Sequence, residues 1–101
     1  MAKLNYYGFI FIGPGYDSKG EVQEMDSGLF KAKIAAVSTI ESGCNIAKYM
    51  VSEGVQVIEL CGGFEKDGLQ RIISSIEGEV PVGSVDFGDK DMEKLKAFLD
   101  K

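Results

Sequence analysis

Residues 55–64 read VQVIELCGGF, and the reading of this stretch decides the fold. Val55, Val57, Ile58 and Leu60 form a nearly continuous apolar run, the pattern of a strand covered on both faces in a parallel sheet. The strand is expected over Val55–Cys61, and Gly62-Gly63 then end it. Glu59 breaks the pattern. By the period-two alternation of a strand it shares a face with Val55, Val57 and Cys61, so its carboxylate is expected to point into whatever covers that face. A buried carboxylate is costly unless paired or hydrogen-bonded. Glu59 is therefore a candidate acid/base group, a ligand acceptor or an interface partner, unless that end of the strand is only half covered.

Working backward, Phe30–Val37 (FKAKIAAV) places Phe30, Ala32, Ile34 and Ala36 on one face and Lys31 and Lys33 on the other, a strand that starts exposed and ends buried. Between the two strands, Ser38 and Glu41 have capping-box spacing. Ile40, Cys44, Ala47 and Val51 then recur at helical intervals until Gly54, predicting a helix over residues 39–53. Working forward, a second helix is expected from Asp67 or Gly68, with the stripe Leu69, Ile72, Ile73 and Ile76 closed by Gly78. A strand over Val80–Phe87 and a final amphipathic helix, capped by Asp89 and using Met92, Leu95, Phe98 and Leu99, complete the chain.

Near the start, Tyr6–Ile12 (YYGFIFI) is apolar on both faces and is placed inside the sheet. Residues 13–28 are dense in turn formers, with an extra edge strand possible at 21–26, so the segment is either a functional loop or a hairpin arm. The expected architecture is a single α/β domain over residues 1–101, with a mostly parallel sheet of about four strands and three helices in the order β-(β)-β-α-β-α-β-α.

Composition narrows the function. The chain has 101 residues, is 45% hydrophobic, and carries a net charge of -5, so nucleic acid and anionic membranes are poor partners. No apolar run is long enough to span a membrane, and Cys44 and Cys61 do not form a disulfide framework. A cytoplasmic protein with reduced thiols is expected. There is no histidine, which removes histidine-activated nucleophiles and most transition-metal sites. The two cysteines, far apart and without further ligands, make no zinc site, and no metal or cofactor is indicated.

In open α/β sheets ligands bind outside the carboxyl ends of the parallel strands, where helix N-termini and loop amides converge. Those ends hold Ser38, Thr39, Cys61, Gly62, Gly63 and Asp86, the expected ligand-binding residues, and a small anionic metabolite would suit them. The glycines could equally serve only to turn strand into helix. Cys61 is the sole candidate nucleophile at this edge, and its bland reading is a small buried hydrophobe. Glu59 and Asp86 are the candidate acid/base carboxylates of an enzyme reading, although Asp86 would serve as well as a turn or cap residue. GPGYD, residues 13–17, lacks the lysine and following helix of a phosphate loop, leaving Tyr16 and Asp17 as residues that overhang the site.

Three helices give sparse cover to strands that are apolar on both sides. With all of them on one face, the other face must be buried against a second subunit, so a homo-oligomer using Tyr7, Phe9 or Phe11 is expected. The third reading, besides ligand binder and enzyme, is a structural oligomeric module without a ligand.

The segments YYGFIFIGPGYD, EGVQVIELCGGF and VPVGSVDF together resemble a family of small prokaryotic proteins of unknown function, with ELCGGF as the most distinctive part. The resemblance implies a cytoplasmic prokaryotic α/β protein and assigns no catalytic residue.

Overall fold

A computed structural model describes residues 2–101. The strands are β1 (Tyr6–Ile12), β2 (Glu21–Asp26), β3 (Lys31–Val37), β4 (Val57–Leu60) and β5 (Val82–Ser84). The helices are α1 (Ile40–Ser52), α2 (Glu65–Ser75) and α3 (Asp89–Leu99), and a 3-10 turn over Gly62–Phe64 leads into α2. The five strands form one sheet in the order β2-β3-β1-β4-β5. β1 pairs in parallel with β3 and with β4, and β4 with β5, while β2 runs antiparallel to β3. The 13–28 segment thus contains a hairpin arm. Asp26 and Ser27 accept the amides of Gly28, Leu29 and Phe30 to close its tight turn.

The sheet order follows from the connections. The chain leaves β3 through α1 and returns as β4 on the far side of β1, so the most apolar strand occupies the centre. Hydrogen-bonded neighbours on both sides satisfy its backbone. α1 and α2 pack on one face of the sheet and against each other. The core they close includes Ile10, Val37, Ala47, Met50, Ile58, Leu60, Phe64 and Ile72, all fully or almost fully buried. Gly8 sits under this layer: a Cβ there would lie 2.7 Å from Met50 Sδ. Its lack of a side chain lets α1 approach β1 closely.

Several expected boundaries move, each for a local reason. The strand expected over 55–61 is only Val57–Leu60, because the Val55 amide closes the end of α1 on Met50 O. The strand expected over 80–87 shortens to three residues at the sheet edge, where Pro81 has no amide to give the ladder. α2 starts at Glu65 rather than at Asp67 or Gly68, since the 3-10 turn already bends the chain into it. Thr39, not Ser38, caps α1, its side chain accepting the Ser42 amide at 3.0 Å. Gly88 precedes α3, and Asp89 lies inside the first turn, where its charge suits the helix dipole but does not cap.

The largest departures concern which surfaces are covered. α3 buries no residue, although its apolar stripe matches the expected one. β1 is covered on one face only: Tyr6, Gly8 and Ile10 lie under the helices, and Tyr7, Phe9 and Phe11 face outward, half-buried. In β3 the alternation is the reverse of what lysine on the surface implies. Lys33 is on the helix side and buried, while Ala32 and Ile34 share the open face with Phe9. The Lys33 ammonium survives there because Glu24 Oε1 accepts from it at 3.0 Å, and the ammonium lies within 5.3 Å of the Tyr49 ring centre.

Candidate functional site

The four parallel strands finish at one edge of the sheet, so the segments after them come together there. Ser38 and Thr39 follow β3, Cys61 to Gly63 follow β4, and Asp86 follows β5. The first connection is tied down by Ser38. Its hydroxyl donates to Gly13 O at 2.7 Å and accepts the Tyr16 amide at 2.8 Å. A residue expected to cap a helix instead anchors the turn after β1 to the end of β3.

That anchoring brings the loop over the start of α1. The result is a cleft of about 330 Å³ lined by Tyr16, Asp17, Ser18, Ser38, Thr39, Glu41, Ser42 and Asn45. Many of its polar groups are already engaged. Ser42 donates to Ser18 O at 2.9 Å, Thr39 donates to Ser42 at 3.0 Å, and Asp17 Oδ1 accepts the amides of Lys19 and Gly20. Glu41 and Asn45, both exposed and one helical turn apart, are open to a ligand, together with the hydroxyls of Tyr16 and Ser18. Sequence reasoning used Glu41 only as a capping partner and missed Ser42 and Asn45. Glu41 and Asn45 lie on the polar face that Lys48 and Ser52 continue along α1, the ordinary pattern of an amphipathic helix, so the sequence carried no signal that set them apart.

The acidic side chains that line this cleft are the carboxylates of Asp17 and Glu41, and no lysine or arginine lines it. Around it the charges are mixed: Lys19 follows in the loop, the first turn of α2 holds Glu65, Lys66 and Asp67, and Asp86 is exposed beyond β5. Within the cleft itself the two carboxylates disfavour a phosphate or carboxylate ligand.

The two glycines are not equivalent. A Cβ on Gly63 would lie 2.8 Å from Ile12 Cγ2, so the turn packs on the end of β1 and needs glycine for steric reasons. At Gly62 the nearest atom to such a Cβ is Val85 O at 3.8 Å, and the position is open. Cys61 is half-buried against the core, and its sulfur accepts the Ile12 amide at 3.4 Å. Its environment is that of a packing residue. Cys44 is buried, with its thiol 3.6 Å from Arg71 O, and both cysteines are free.

Glu59 is exposed rather than buried, because nothing covers its face. It stands on the open side of the sheet, between its register partners Phe9 and Gly83. Tyr7 shares that face, and burial, followed by the neighbouring Glu59 carboxylate, pushes the Tyr7 hydroxyl up to about 12. Tyr7 is therefore a neutral donor at physiological pH. Glu59 belongs to the open face and Asp86 to the strand-end edge, so the acid/base pairing considered for them has no common cleft.

Among the described residues, no group of three or more Cys, Asp or Glu side chains is placed to hold a metal ion. No described helix is long and apolar enough to cross a membrane. No curated protein and no solved structure matched the sequence. A family model, described as a family of unknown function (DUF6506), matches residues 5–100. With nearly its whole length inside that match, from β1 to the end of α3, the chain belongs to the DUF6506 family.

Proposed function

We propose that this protein binds a small polar ligand, neutral or cationic, in the cleft between the Tyr16–Ser18 turn and the start of α1. The observation that carries this reading is the cleft's lining: hydroxyls, an amide and two carboxylates, with no basic side chain among them. Glu41 would meet an ammonium or hydroxyl group of the ligand, and Asn45 would supply one donor and one acceptor beside it. The Ser38 clamp pre-forms the loop, which lowers the ordering cost of binding. The two free thiols suit a reducing cytoplasm.

A thermal-shift screen tests the reading with three probe sets: polyols, small amines, and phosphorylated or carboxylated metabolites. A ligand at a hundred times its Kd stabilises the fold by about 2.7 kcal/mol. Stabilisation by an amine or polyol that is lost in Glu41→Gln or Asn45→Ala supports the site. Stabilisation by anions alone, or by none of the probes, overturns it.

A further inference from the structure

Two apolar surfaces are left wholly or partly without cover by the described residues, and they match in size. One is the open face of the sheet, where Tyr7 lies between Ala32 and Val57, and Phe9 between Ile34 and Glu59. The other is α3, which makes no substantial packing contact with any strand or helix of its own chain. Phe98 and Leu99 on α3 are 65% and 68% exposed.

From Tyr7 to Phe11 the strip on β1 runs for about 13 Å, and its two flanking strands give it a width of about 10 Å. The eleven residues of α3 form a rod about 16 Å long and 10–12 Å across with side chains. One helix therefore covers the strip. At the margins, the strip is bordered by Glu59, and the apolar stripe of α3 is flanked by Lys96 and by Lys94, the latter paired with Asp91 at 3.4 Å. Within its own chain α3 is only partly covered, with Met92 and Leu95 half-buried and none of its residues buried, and a helix of this length gains little from local hydrogen bonding because it is marginal in water.

We propose that α3 of one copy of this chain packs on the open sheet face of a second copy, and that the second copy returns the contact. The arrangement is isologous, so each chain buries both of its uncovered surfaces in a closed dimer. Met92, Leu95, Phe98 and Leu99 lie on Phe9, Phe11 and Ile34 of the neighbour, with Lys96 beside its Glu59. This goes beyond the ligand cleft, which lies at the strand ends and is complete within one chain.

The test is the mass of the full chain by light scattering at about 10 µM, below which weak interfaces of this kind begin to separate. The expected mass is twice the 11.0 kDa of one chain. The double variant Phe98→Asp/Leu99→Asp and the sheet variant Phe9→Glu should each run as a monomer with an unchanged far-UV circular dichroism spectrum. Mixing the two variants should restore a dimer, since the first still offers a sheet and the second still offers a helix. Should Phe9→Glu fail to fold, Ile34→Lys replaces it, and Met92→Glu replaces the helix variant in the same way. A wild-type monomer, whether its α3 is free, folded over its own sheet or bound to anionic vesicles, overturns the proposal. A dimer that survives Phe98→Asp/Leu99→Asp also overturns it, because the sheets would then meet without α3.

Discussion

Lys33 Nζ lies 3.0 Å from Glu24 Oε1, with the lysine side chain 8% exposed beneath α1 and the glutamate 39% exposed at the sheet margin. The Tyr6 hydroxyl donates to the same carboxylate oxygen at 2.9 Å. The contact joins β3 to the antiparallel arm β2, whose register pairs Glu24 directly with Lys33. It also explains how a lysine faces the core: the carboxylate of the hairpin arm follows it to the covered side.

The cluster sets the pH range of stability. The hydrogen bond to Glu24 raises the Lys33 pKa against the opposing effect of burial, and the Lys33 and Tyr6 hydrogen bonds hold Glu24 below its usual value. Burial, then Glu24, raises Tyr6. Raised groups stabilise the fold below their unfolded pKa, about 10.4 for lysine and 10 for tyrosine, and lose that contribution as pH rises through the folded value. The lowered glutamate stabilises above about pH 4.3 and loses its contribution as pH falls through the folded value. Melting temperature should therefore be flat from about pH 5 to 9 and fall on both sides. In Lys33→Met the alkaline fall should be shallower; an unchanged alkaline limb would show that Lys33 is not paired in solution.

Gly43 should resist replacement by alanine. In an ordinary helix interior the change gains up to about 1 kcal/mol from propensity. Here the new Cβ would meet the Phe64 ring at 2.9 Å and Ile72 Cδ1 at 3.2 Å. Phe64 is 1% exposed and has no room to withdraw. Overpacking costs about 1–3 kcal/mol, so Gly43→Ala should lose net stability in urea denaturation, and a gain would mean that the ring can move.

Ser38→Ala should loosen the turn after β1 by removing both of its hydrogen bonds, at a cost of about 1–2 kcal/mol. Amide hydrogen exchange should quicken at Tyr16, whose donor loses its acceptor, while the strands of the core stay protected. If Tyr16 exchanges at the wild-type rate, the clamp does not hold the loop.

The cysteines should behave as packing residues. Iodoacetamide at neutral pH should modify Cys61 slowly in the native protein and Cys44 only after unfolding, in keeping with their half-buried and buried positions. Rapid native alkylation of Cys61 would restore it as a nucleophile.

How far the sequence could be read depended on the range of the interactions involved. The α1 stripe, the ends of the helices at Gly54 and Gly78, and the parallel strands were legible because they rest on spacing along the chain. The hairpin arm at 21–26 was visible only as an alternative, since its alternation is weak without its partner β3. Lys33 was read as exposed because its partner, Glu24, lies nine residues away and is brought opposite only by the antiparallel register. Ser38 was misassigned as a helix cap for a similar reason: its two partners are on the turn after β1, more than twenty residues earlier.

By itself the sequence determined the α/β class, the order of elements, the placement of Ser38, Thr39, Cys61, Gly62, Gly63 and Asp86 at strand ends, and the excess of apolar surface over three helices. These depend on local periodicity and on composition. Only the tertiary structure decided which face of the sheet α1 and α2 cover, that Glu59 stands in the open, that α3 stands apart, and that carboxylates rather than cations line the cleft. Those properties depend on pairing between residues far apart in the chain, and strand register and helix side are settled only when the whole sheet is assembled.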